Sequence, residues 1–391
     1  MSDRSEQSLS PSPGDDWSPD SGQRALCIAH GGDMGEPSGG TERVSALAQG
    51  LAERGHDVTL VVPEPSGALP ERLAAVNVEP VAVRLSNPLI RAARVAAAAR
   101  RVARDRDAIL QIEHSTLAGV GTFRGCQDYV LDMHDLAYSR FDHVDTRLAP
   151  AFKRGVRRLE RRAVERAAHV IVVSDVMRDA MRAWGVPDER LTVVPNGYFP
   201  TTIPEATEST VPGRVAFLGT LHPKVDIETL VAVARLPAVS ELVVIGDGAQ
   251  HRRLQRLGEG VDGLRLTGRL PDHEAFALLA RSQVLINPQV VSAIQRSSSP
   301  VKLFYYAALG KPMVVTPGPS IVEHLVERRA AMTAYSKGSF AKRVRLALED
   351  DELSARLAER ARDAAMEFEW SRRADAVGTL YSRRSGGEPD R

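Results

Sequence analysis

The sequence predicts an α/β protein of two doubly wound parallel-sheet domains, and three observations carry that prediction. A chain of 391 residues is too long for one ordinary domain of this kind and suits two. Short apolar runs alternate with helical periodicity from Arg24 onward, the pattern of a parallel sheet whose crossovers are helices. Over 197–213 the periodicity lapses into a stretch rich in Pro, Thr and Glu, which reads as an interdomain linker.

Residues 1–22, rich in Ser, Pro and Asp, have no apolar core for a signal peptide and are expected to be a disordered tail. The first domain, 23–196, opens on a strand over 25–29 that runs into a glycine-rich loop. Val44, Leu47, Ala48 and Leu51 then fall at i, i+3, i+4 and i+7, Gly55 stops the helix, and the β-branched run 58–62 completes a βαβ unit. Further strands are expected at 109–112, 129–133, 170–173 and 191–194. The second domain, 214–365, repeats the pattern with strands at 215–218, 242–245, 264–266, 284–286 and 313–315. A last helix is expected over about 351–381, amphipathic at Phe368, Trp370, Ala374, Val377 and Leu380, before a polar tail at 384–391.

Basic and acidic residues nearly cancel, 51 against 50, so no global field points to nucleic acid. Cys27 and Cys126 cannot make a disulfide framework, and a cytoplasmic location is expected. No run of about eighteen apolar residues exists to span a membrane. Two helical segments, 91–106 and 151–168, carry clustered arginines. A solvated basic face is one reading of them; peripheral docking to an anionic membrane or a lipid-phosphate acceptor is the other.

Ligands of open parallel sheets bind beyond the carboxyl ends of strands. The residues there are His30, Gly31 and Gly32; His114; His134 and Asp135; Ser174; Gly219; Gly246; Gly268; and Asn287. Each glycine taken singly reads first as a turn from strand to loop, and it is the set that points to a site. The loop with Gly35, Gly39 and Gly40 leads to a helix expected to start near Thr41 or Glu42, where bare amides suit an anion such as a diphosphate. Ser299 is expected to cap a second helix with Pro300 at its first position, and Gly310 and Pro312 end it. Arg296 just upstream suits a phosphate or is a surface arginine. His134, with Asp135 beside it, suits a sugar hydroxyl or a developing charge, against a purely structural role. HExxH, paired CxxC and GxSxG spacings are absent, so neither a metal cluster nor a hydrolase nucleophile is expected.

Taken in order, several segments resemble the retaining glycosyltransferases of family four, whose GT-B architecture sets two such domains face to face across a cleft. They are Gly39-Gly40-Thr41-Glu42-Arg43-Val44, Arg54-Gly55-His56-Asp57-Val58-Thr59, His134-Asp135-Leu136, Val173-Ser174, Val194-Pro195-Asn196-Gly197, Ile245-Gly246-Asp247-Gly248, Gly268-Arg269-Leu270-Pro271 and the stretch 299–312. The resemblance implies a nucleotide-sugar donor, a glycan, lipid-linked or other hydroxyl acceptor, retention, and no metal or other cofactor. It implies that Gly39 and Gly40 contact the donor diphosphate, that His134 faces the transferred sugar, that Gly268 and Arg269 border the base, and that amides at Val301 and Lys302 approach the nucleotide. It also implies that 366–383 crosses back to the first domain.

The sequence departs from the family at charged positions. An Arg usually follows the glycine at 219, with a Lys a few residues on; here Thr220 follows, and Lys224 lies one position from the family's lysine. Arg296 is a candidate substitute. The family's E-x7-E pair falls on Ser297 and Tyr305, so both carboxylates are missing and Tyr305 offers one hydroxyl in place of a ribose-binding carboxylate. Two rivals follow: a degraded transferase serving as a binding or scaffold subunit, and a nucleotide-sugar epimerase.

Overall fold

The computed structural model describes residues 24–383 apart from 84–86, 144–147 and 206–208; the expected tails at 1–22 and 384–391 lie outside the described residues. The first sheet has seven strands: β1 (Ala25–Ala29), β2 (Asp57–Pro63), β3 (Asn77–Val81), β4 (Ile109–Glu113), β5 (Tyr129–Met133), β6 (Ala167–Val172) and β7 (Leu191–Val193). They pair in parallel in the order β3-β2-β1-β4-β5-β6-β7. The sequence reading missed β3, an edge strand that carries Pro80, whose missing N–H is tolerated only at an edge. Helices α1 (Gly39–Glu53), α2 (Pro88–Asp105), α3 (Ser115–Thr122), α4 (Ala149–Arg166) and α5 (Asp175–Ala183) connect the strands.

Alternation along β1 shows how both faces are covered. Leu26 and Ile28 pack with Leu47 and Leu51 of α1, while Cys27 and Ala29 pack with Val95 and Ala99 of α2 on the opposite side.

The second sheet has six strands: β8 (Arg214–Leu218), β9 (Glu241–Ile245), β10 (Leu264–Gly268), β11 (Val284–Asn287), β12 (Met313–Val315) and β13 (Met332–Thr333), ordered β10-β9-β8-β11-β12-β13. The two-residue β13 is too short to leave a periodic signal. Around this sheet run α6 (Ile227–Ala234), α7 (His251–Leu257), α8 (Asp272–Ala280), α9 (Ala293–Ser297), α10 (Val301–Ala308), α11 (Ser320–Glu327), α12 (Lys337–Glu349) and α13 (Asp351–Ala365). The doubly wound fold class expected from the sequence is borne out.

The single last helix expected over 351–381 is instead two helices, α13 and α14 (Trp370–Arg383), joined through a turn at Met366–Phe368. Glu369 is extended, and the chain there zips onto the linker: Tyr198 N–H donates to Phe368 O at 3.1 Å and Trp370 N–H to Tyr198 O at 3.1 Å. Helical geometry cannot supply that pairing, so the helix breaks. Gly197 permits the close approach, because a Cβ there would fall 2.4 Å from Phe368 O. Phe368 thus stays in the second core, while Val377 and Tyr381 enter the first.

Candidate active site in the cleft

Strand order reverses at β1/β4 in one sheet and at β8/β11 in the other, so each domain offers a crevice at its switch point. Below the first crevice lies a buried ionic floor. Arg43, on the inner face of α1, grips Asp132 of β5 with two bonds of 2.9 Å and also donates to Val194 O and Asn196 Oδ1. Arginine and aspartate are both fully buried, so neither tolerates loss of the other. Glu113 ends β4 beside Asp132, and burial together with that neighbour holds its carboxyl well above the usual range. The ligand atoms of Glu113, Asp132 and His134 lie within 4.8 Å of one another, a trio that sequence spacing did not reveal. Both Asp132 oxygens are committed to Arg43 and Glu113 Oε2 to His134 Nε2 at 2.5 Å, so the trio is an ionic network rather than a vacant cation cage.

Above this floor stand three histidines. His134 and His114 have ring centroids 4.0 Å apart, and His30 lies 5.8 Å from His114. Burial and the two neighbouring rings push His30 well below its usual value, so it is neutral. His114 adopts φ 71°, a strained left-handed conformation of the kind that persists where the surroundings enforce it. The sequence reading noted His30 and His114 as strand-end residues without assigning them to the site; the ring contacts place both beside His134. Asp135 neighbours the buried Glu160 carboxylate, which accepts from the Ala137 and Tyr138 amides.

Helix α1 begins at Gly39, earlier than the sequence suggested, because Ser38 and Thr41 form a reciprocal capping box. A Cβ on Gly40 would stand 3.7 Å from His134 Nδ1 and 3.8 Å from His114 Nε2. The bare first turn of α1 therefore faces the histidines. A Cβ on Gly39 would stand 3.3 Å from Val301 Cγ2, so the starts of α1 and α10 meet across the cleft.

On the second domain, Gly219, Gly246 and Gly268 converge at the ends of β8, β9 and β10. Gly246 packs on the Gly219 backbone and bridges Gly268, and all three have positive φ. Lys302, in the first turn of α10, lays its Nζ where a Cβ on Gly219 would be 2.5 Å away and 4.3 Å from the Phe217 ring centroid. The residue keeps partial solvent access, but its ammonium is walled by protein. That desolvation and the charge of Lys224 pull Lys302 down to about 7. Thr220, Arg269 and Arg296 are exposed at the rim, the Arg296 stem lying beside Gly318.

The seam between domains holds the two positions, Ser297 and Tyr305, where the sequence resemblance expects carboxylates. Ser299 was expected to cap α10, but the N-cap is Pro300, without a side-chain bond. Ser299 instead joins the domains: its Oγ accepts from Asn196 N–H at 3.0 Å and its carbonyl from Asn196 Nδ2 at 2.6 Å. Ser297 O likewise accepts from Ser174 Oγ at 2.8 Å. Tyr305 donates to Glu42 Oε1 at 2.7 Å, and Trp370 Nε1 donates to the same oxygen at 3.2 Å. A carboxylate thus remains at position 305's hydroxyl, supplied by α1 of the opposite domain. Its burial raises its pKa, opposed by the two donors.

The sequence matches the family model described as Glycosyltransferase Family 4 over residues 37–200 and the one described as Glycosyl transferase-like over residues 228–378. Among solved structures, a sucrose-phosphate synthase from Thermosynechococcus elongatus is similar at TM-score 0.75 and 17% identity, with 93% of this chain and 100% of that chain covered. WaaG, a glycosyltransferase involved in lipopolysaccharide biosynthesis, is similar at TM-score 0.72 and 17% identity, covering 92% and 100%. HepE from Anabaena in complex with UDP-glucose is similar at TM-score 0.70 and 18% identity, covering 91% and 99%. A comparison with curated proteins gives no match.

Proposed function

The chain belongs to the GT-B glycosyltransferases, and from that premise we propose that it moves a hexose-type sugar from a nucleotide-sugar bound across the cleft to a hydroxyl acceptor, with retention. The observation that carries the donor reading is the close approach of the first turns of α1 and α10, where a Cβ on Gly39 would stand 3.3 Å from Val301 Cγ2, with Lys302 in that turn of α10 and the charge of Lys224 near it. A similar structure holding UDP-glucose supports a uridine diphosphate sugar as the first donor to test.

In this reading the diphosphate lies between the first turns of α1 and α10, and Lys302 and Lys224 neutralise its charge. They take the part a metal ion plays in other sites, so the transfer needs none. As the bond from C1 to the β-phosphate oxygen breaks, negative charge grows on the diphosphate and is met by amides and cations already in place. The acceptor oxygen bonds to C1 from the face the diphosphate leaves, and its proton passes to a phosphate oxygen. His134, whose Nδ1 faces Gly40, contacts the transferred sugar. Gly268 and Arg269 border the base, and exposed Thr220 and Arg296 stay at the rim.

A thermal-shift panel of UDP, GDP and their sugar conjugates, run on the parent and on Gly40→Ala, tests the donor reading. The substitution has room for its methyl against the protein and adds up to about 1 kcal/mol of helix propensity, so its melting temperature should hold or rise. The shift given by the preferred nucleotide should fall sharply, because the methyl occupies ligand space. An equal shift in both proteins places the diphosphate elsewhere, and no shift by any nucleotide favours the scaffold alternative.

The acceptor reading rests on the arginine-bearing α2 and α4. Leu89 at the start of α2 is 61% exposed, and Leu148 and Phe152 at the start of α4 are 63% and 58% exposed, with Arg154, Arg157 and Arg158 exposed alongside the latter. Apolar side chains flanked by arginines suit the surface of an anionic bilayer and a lipid-linked acceptor. No described helix is long and apolar enough to cross a membrane. Sedimentation with phosphatidylglycerol vesicles but not phosphatidylcholine vesicles is the expected result, weakened several-fold by Phe152→Ser; equal behaviour with both lipids removes the proposal.

A further inference from the structure

A buried chain of polar side chains runs from the returning helix to His134. The Tyr381 hydroxyl of α14 donates to Gln111 Oε1, Gln111 Nε2 donates to Glu113 Oε1, and Glu113 Oε2 meets His134 Nε2 at 2.5 Å. Tyr381 and Glu113 are fully buried and Gln111 nearly so, so water does not compete for these bonds. Tyr381 comes from the segment that crosses back after the second domain, 270 residues from Gln111.

Each link constrains the next. Because the tyrosine hydroxyl occupies the carbonyl end of the Gln111 amide, the amide's NH2 must face Glu113. Glu113 accepts that bond on Oε1, which leaves Oε2 for the imidazole. His134 is thereby held by Nε2, and Nδ1 is left toward the bare first turn of α1, 3.7 Å from a Cβ on Gly40.

We propose that Glu113 is the positioning residue of His134, and that Gln111 and Tyr381 extend its hold to α14, so that the returning helix sets which imidazole nitrogen faces the cleft. With a proton between Glu113 Oε2 and His134 Nε2, the other ring nitrogen, Nδ1, carries N–H. The groups facing this pair are Asp132 and Arg43 below and the His30 and His114 rings alongside. Burial and the Asp132 charge, only partly offset by Arg43, favour retention of that proton. The assignment of Nδ1–H as the group that meets the transferred sugar rests on the donor reading above; the relay itself does not.

The experiment is 15N NMR of histidine-labelled full-length protein without ligand, the His134 signals being assigned by their loss in His134→Gln. The parent should show a protonated Nδ1, with Nε2 shifted by a strong hydrogen bond. Glu113→Gln, whose amide still donates to Nε2, should keep Nδ1–H but lower the pH at which His134 titrates. Tyr381→Phe touches no atom of the imidazole, yet it should move the His134 nitrogen shifts, because it removes the bond that fixes the Gln111 amide against Glu113. Unchanged His134 shifts in both variants would overturn the relay, as would a parent protein with protonated Nε2 and bare Nδ1. UDP titration of the same samples separates the two claims: absent binding with the relay signature present sinks the donor reading alone.

Discussion

Lys302→Met should make the protein more stable and a poorer binder of nucleoside diphosphates. The ammonium sits on Gly219 and over Phe217, with Lys224 as a second positive charge, and its pKa is drawn from 10.5 to about 7. Between those values the unfolded chain binds the proton more tightly than the folded one, so stability rises with pH across that window. Below pH 7 the full cost is present, on the order of a few kcal/mol. Methionine preserves length and removes the charge, so the gain in denaturant unfolding should be largest at or below pH 7 and fade toward 10.5. Binding moves the other way. A charge-assisted contact to phosphate is worth about 1.5–3 kcal/mol, or roughly ten- to a hundredfold in affinity. A charge placed at a cost in stability is intelligible if an anion is its purpose; loss of stability in Lys302→Met with unchanged UDP affinity would mark Lys302 as structural.

Tyr305→Glu should be strongly destabilising, although it restores the residue the family carries at this position. Glu42 Oε1 already lies 2.7 Å from the Tyr305 hydroxyl and accepts from Trp370 as well. A second carboxylate would meet the first with a donor lost, and Glu42 is already raised by burial. Breaking such a contact costs about 3–5 kcal/mol where one charge is left buried without a partner. The sign with pH follows from raised folded-state values. The penalty is full above them and recedes as pH falls toward about 4.5, where the unfolded carboxyls also take up protons. Urea unfolding at pH 5 and pH 8 checks this: the deficit should be clearly smaller at pH 5. A variant as stable as the parent at both would show that Glu42 does not occupy the place of the missing carboxylate.

Much of the fold was legible in the sequence because β-branched runs such as 58–62 and 242–245 are buried on both faces of a parallel sheet and leave an unambiguous apolar signal. The edge strand β3, with Pro80 and half-buried side chains, leaves none. The break at Glu369 was invisible for another reason: helical periodicity continues through it, and only its pairing with Tyr198 interrupts the helix. In the candidate site, position at strand ends was enough to single out the glycines and His134. What sequence could not give were the pairings of distant residues: Glu42 with Tyr305, Ser299 with Asn196, and Glu113 with His134. Each of these contacts joins residues on separate elements, and two of them join separate domains. At Ser297 and Tyr305, where the resemblance expects carboxylates, the structure shows contacts across the seam: Ser297 O accepts from Ser174, and Tyr305 donates to Glu42.

The central claim is that a nucleoside diphosphate sits at the meeting of α1, α10 and the two lysines. Calorimetric titration of UDP at pH 7 to 8.5, in two buffers of different ionisation enthalpy, tests it most directly. Bound phosphate must raise the Lys302 value from about 7, so binding should take up a fraction of a proton and weaken as pH rises through this range, and Lys302→Met should abolish the uptake. Binding without proton uptake, at equal affinity in parent and Lys302→Met, would contradict the account.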